Sequence, residues 1–111
     1  MPDSISEREW KILREIKPIA LERLCERAIS QVIGVASDPT KGAHERYLAM
    51  FKVLHERDDE IANAFNDLRR STALRQLACM KYYDLLTEGE LARFSPGTRE
   101  TAEFLVSAWK R

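Results

Sequence analysis

The chain has 111 residues, 44% hydrophobic and 32% charged, with 18 basic and 18 acidic side chains that cancel at neutral pH. That apolar share excludes a disordered chain, and the cancelled charge excludes an overall field that would draw the molecule to polyanions. Only 4 Gly and 4 Pro leave too few turn formers for a β-sandwich or barrel, so a single helical domain over residues 1–111 is expected.

Ser6 followed by Glu9 has the spacing of a capping box, which starts a helix near Ser6. Trp10, Leu13 and Ile16 recur on one side of this helix, and Glu7, Lys11 and Glu15 form a charged ladder on another. Pro18 cannot donate to the carbonyl of Arg14, so the first leg is expected to kink or break there. Beyond it Leu21, Leu24, Cys25, Ala28, Ile29, Val32 and Ile33 form a wide apolar stripe, read as core. The segment from Ser37 to Gly42 concentrates turn formers and reads as a loop.

A second helix is predicted from Ala43 to Arg70. Tyr47, Phe51, Leu54, Asp58, Ile61, Phe65 and Leu68 alternate steps of four and three, the spacing of a bundle or coiled-coil seam. Ser71 can cap a third, strongly apolar helix to about Leu86. Thr87 with Glu90 repeats the capping-box spacing and starts a short turn through Phe94. After a break at Ser95, Pro96 and Gly97, a last helix carries Ala102, Leu105, Val106 and Trp109 on one face. The fold class is therefore all-α, an elongated antiparallel bundle of three legs and four to five helices, the third leg made of two shorter helices.

Catalytic signatures are missing. There is no Gly-x-Ser-x-Gly elbow, phosphate loop or dinucleotide turn, and His44 and His55 are the only histidines, which points away from an enzyme. His55 with Asp59, one turn apart, is a candidate metal pair without ligands from another helix, so no metal and no cofactor is expected. Cys25 and Cys79 lie in apolar stretches and read as buried reduced thiols. With no signal-peptide pattern and no long uncharged apolar run, a cytoplasmic location away from membranes is expected.

Three surfaces are candidates for function. Leu77, Met80, Tyr82 and Tyr83 lie on a helix apolar around its axis, which calls for a further layer and points to a homodimer or another protein partner. Asp58 interrupts the apolar seam, and three roles are open to it: a local opening of the helix, a register-setting pair with an arginine, or a pocket carboxylate with a shifted pKa. Arg69, Arg70 and Arg75 form a local basic cluster that would contact phosphates in a nucleic-acid-associated regulator, although neighbouring acids dilute it. A metal-binding or catalytic bundle centred on Asp58 and His55 is the remaining alternative.

The stretch Leu74, Leu77, Met80, Leu85, Leu86, Thr87, Glu90 and Leu91 resembles the short helical hairpin of the SHOCT domain, a leucine helix followed by a Leu-Thr-x-x-Glu-Leu restart. Asp84 stands where that pattern has a turn glycine. The resemblance carries no function to this chain.

Overall fold

Ser6 stands in extended conformation, and its hydroxyl accepts the N–H of Glu9 at 3.2 Å, which starts the first helix where the spacing predicts. In the computed structural model, which describes residues 5–110, five helices follow in order: α1 Glu7–Ala36, α2 Ala43–Phe65, α3 Ala73–Tyr82, α4 Glu88–Leu91 and α5 Pro96–Trp109. Of the kink or break expected at Pro18, the break does not occur: α1 runs through it for 30 residues. Pro18 and Arg14 both lie on the exposed side of α1, so the carbonyl that loses its partner stays accessible to water. On the other side Leu13, Ile16, Ala20 and Leu24 are pinned in the core across the same turns.

The loop after α1 is closed by Asp38, whose carboxylate accepts the backbone N–H and the hydroxyl of Thr40 at 2.9 and 2.6 Å. This short connection turns α2 back along α1. Helix α2 ends at Phe65 rather than Arg70: Asn66 turns to extended geometry, with φ of −75° and ψ of 142°, and Asp67 follows in left-handed conformation with φ of 59°. Thr72 then ties the loop, its hydroxyl accepting the N–H of Arg69 at 3.0 Å and lying 2.9 Å from the carbonyl oxygen of Asp67. Thr72, not Ser71, is the residue that precedes α3.

Helix α3 also stops short of its predicted end. Asp84, with φ of 57°, is the left-handed residue of a Schellman turn: Leu85 N–H donates to Met80 O at 2.9 Å, and Asp84 N–H to Lys81 O at 3.0 Å. Asp84 thus occupies the left-handed position that glycine most often takes at such a helix end. Glycine adopts this conformation without a Cβ penalty, so Asp84→Gly should raise stability by about 0.5–1 kcal/mol, read as a melting midpoint a few degrees higher.

Thr87 and Glu90 form the predicted capping box, with Glu90 N–H on the threonine hydroxyl at 3.1 Å and Thr87 N–H on the glutamate carboxylate at 2.9 Å. Ser95 caps α5, and Pro96 occupies its first turn, so the predicted break is also the start of the last helix.

The core lies at one end of this arrangement. Ile12, Leu13, Ile16, Ala20 and Leu24 of α1 meet Ala64 and Phe65 of α2, most of α3, Leu85, Phe94, and Ala102 and Val106 of α5. The third leg folds back on itself, α3 against α5, and so covers only this end of the α1–α2 hairpin. The molecule measures 52 × 29 × 24 Å with a radius of gyration of 16.4 Å, larger than the roughly 13 Å of a compact domain of this length. The excess comes from the projecting half of the hairpin.

Candidate interaction surface

Three polar clamps hold the head together. Glu9, 5% exposed, does not reach back to the N–H of Ser6 as a full capping box would. Its carboxylate accepts the Ser95 N–H at 2.8 Å and the Thr98 hydroxyl at 2.9 Å, so one acid joins the first turns of α1 and α5. Burial by itself would push the Glu9 carboxyl up, but the hydrogen bonds from Ser95 and Thr98, with Arg8 nearby, outweigh it and hold the group below the usual carboxylate range. Arg23 of α1 grips Glu90 through two bonds at 2.6 and 3.0 Å and also donates to Leu85 O at 2.8 Å. Arg27 donates to the carbonyl oxygens of Tyr83 and Asp84. The Arg23 guanidinium is the main reason the Glu90 carboxyl is lowered. On the exposed side Arg93 pairs with Glu15 at 2.9 Å.

The residues singled out from sequence on α3 fall in two groups. Leu77 and Met80, 1% and 0% exposed, fill the chain's own core and offer nothing to a partner. Tyr82 is 42% exposed and packs edge-on against Tyr83 and Trp109, with ring centroids 5.7 and 5.9 Å apart. Tyr83 is half-buried, and its phenol oxygen accepts Asn63 Nδ2 at 3.1 Å. The last helix supplies the layer that the apolar character of α3 demands. Cys79 is buried, Cys25 half-buried, and both thiols are free.

The arginine cluster is largely engaged within the chain. Arg69 pairs with Asp67 at 2.8 Å, and Arg70 pairs with Glu7 at 3.0 Å while donating to Ile5 O at 3.1 Å; Arg75 is exposed. His55 Nε2 lies 3.9 Å from Asp59 Oδ2. Among the described residues no group of three or more His, Cys, Asp or Glu side chains is placed to hold a metal ion. A cleft of about 440 Å³ between α3, α4 and α5 is lined by Leu77, Lys81, Leu91, Arg99, Glu100 and Glu103 among others, and Lys81 meets Glu103 across it at 3.0 Å. Neither a thiol nor an imidazole lines it.

The projecting half of the hairpin departs most from the sequence reading. No residue from Ile29 to Asn63 is buried. The face of α2 turned to α1 there is not the predicted seam but Arg46, Ala49, Met50, Val53 and Arg57, all half-buried. Arg46 donates to Ala36 O at 2.8 Å and Arg57 to Gln31 Oε1 at 3.3 Å, which fixes this face inward. The seam residues point away: Tyr47 is 65% exposed, Phe51 63%, Leu54 49%, and Asp58 is exposed with them. Only the far end of the seam, at Ile61, Phe65 and Leu68, joins the core. On α1, Ile29 and Ile33, read as core, are each 60% exposed. Asp58 therefore bears no burial cost in this chain, and its place is within a solvent-facing coiled-coil spacing.

No family model, curated protein or solved structure matches the chain, the SHOCT-like stretch included. Among the described residues no helix is long and apolar enough to cross a membrane.

Proposed function

We propose that this is a non-enzymatic helical assembly protein that works as a homodimer through the projecting half of its α1–α2 hairpin. The supporting observation is the unburied stretch from Ile29 to Asn63, which carries Ile29, Ile33, Tyr47, Leu48, Phe51 and Leu54 at exposures between 49% and 65%. Together those side chains expose on the order of 700 Å², comparable to the roughly 800 Å² that one partner contributes to a standard interface. A two-helix layer with large apolar residues turned outward is a half-built bundle, and a second layer completes it.

Light scattering over a wide concentration range tests this. The expected mass is twice the 12.8 kDa of one chain, and Phe51→Glu, at an exposed position, should return it to the monomer with unchanged helical circular dichroism. A wild-type chain that stays monomeric at the highest concentrations would overturn the reading, as would a Phe51→Glu variant that dimerises like the wild type.

A further inference from the structure

We infer that the partner is a second copy whose α2 lies antiparallel on the first, with the two-fold axis passing between Phe51 and Leu54. The inference rests on the homodimer reading and adds the seam, the direction and the register. The spacing of Tyr47, Phe51, Leu54 and Asp58 is that of the a and d positions of a coiled coil, which exist to interlock with another helix. Inside the chain nothing covers them, because Arg46, Val53 and Arg57 occupy the α1-facing side.

Charge fixes the direction. In a parallel pair each Asp58 would stand against its own copy, two carboxylates enclosed by the same apolar layers, and the two helix dipoles would run side by side. In an antiparallel pair each Asp58 moves toward the partner's α2 N-terminus, which begins at Gly42 without a side-chain cap, where the first N–H groups carry partial positive charge. The register follows from symmetry. The exposed part of the seam runs from Tyr47 to Asp58, and a two-fold at its midpoint layers Phe51 on the partner's Leu54 and Tyr47 on the partner's Asp58. The phenol then supplies a hydroxyl donor to the carboxylate, and no apolar seam residue of this stretch is left facing water.

The test uses disulfide cross-linking in the full chain with Cys25→Ala and Cys79→Ala. Tyr47→Cys and Asp58→Cys are placed in separate chains, which are mixed and oxidised mildly, and non-reducing electrophoresis is read beside light scattering of the unoxidised proteins. Residues 47 and 58 are roughly 16 Å apart along one helix at 1.5 Å per residue, so the antiparallel register predicts covalent dimer in the mixture, at least tenfold above either variant alone. Self-linking of Tyr47→Cys as efficient as in the mixture would overturn the inference in favour of a parallel pair. A dimer that cross-links in neither case would overturn it while leaving the assembly reading standing. Monomers before oxidation, with the wild type also monomeric, would remove both, and would make a helix of another protein the remaining occupant of the seam.

Discussion

Met80→Asp should abolish cooperative unfolding at neutral pH, whereas Tyr82→Asp, two residues on, should leave a folded protein. Met80 is 0% exposed within the core that α1, α2, α3 and α5 build together, and a carboxylate there would either ionise without a partner or take up a proton, at a cost of several kcal/mol. A domain of this size has about 5–15 kcal/mol in total. Tyr82 is 42% exposed and loses only ring-edge contacts with Tyr83 and Trp109, about 1–2 kcal/mol. Urea titrations followed by circular dichroism compare the two. A Met80→Asp chain with the midpoint of the wild type would mean that α3 faces solvent and that the core is misplaced.

The second large effect is expected at Glu9. Glu9→Gln keeps the shape but removes the charge that receives the Ser95 N–H and the Thr98 hydroxyl, and it should cost about 2–3 kcal/mol, since hydrogen bonds to charged groups are worth about 1.5–3 kcal/mol each. The melting midpoint would fall by roughly 8–15 °C. The effect depends on pH in a defined direction. Because the folded carboxyl lies below its ordinary value of 4.5, its contribution is fully present above that pH and is lost as the pH falls through the lower folded value. The gap between wild type and Glu9→Gln should therefore be constant near neutrality and close in acid, while the Arg23–Glu90 pair, common to both chains, leaves the difference unaffected. A gap that stays open well below pH 4.5 would show that packing rather than charge makes Glu9 matter.

Local signals and tertiary signals were legible to different degrees in this sequence. Ser6, Thr87 and the turn formers from Ser37 to Gly42 act through bonds to residues a few positions away, and the structure places them where their spacing predicts. Glu9 has the spacing of a partner for Ser6, and the Ser6 hydroxyl does lie 3.5 Å from its carboxylate, but the shorter bonds go to a helix start 86 residues along the chain, a competition that spacing cannot express. The chain leaves α2 through an extended Asn66 and a left-handed Asp67, and α3 closes on the left-handed Asp84, a conformation that asparagine and aspartate tolerate but do not announce as glycine would.

The seam on α2 has the period of a buried face, and a period says that a helix meets something without saying which neighbour. Small side chains, Ala28 and Val32 on α1 and Ala49 and Val53 on α2, let the two helices approach along a different line and leave the larger residues outside. The arginines that line that inner face, Arg46 and Arg57, look like surface residues in the sequence, because their bonds to Ala36 and Gln31 arise only once the hairpin has closed.

Because α1 passes without interruption from the buried head to the bare hairpin, its two halves answer to different free energies. At the buried positions of this helix from Glu9 to Leu24 an amide is expected to exchange its hydrogen chiefly when the core opens, so its protection reports on global unfolding. From Ile29 onward the same helix can unwind together with the start of α2 while every core contact stays in place. A ligand for the distal half would thus slow local exchange there without touching the catalogue of contacts in the head, and the point where protection changes along α1 marks the border between two cooperative units within one helix.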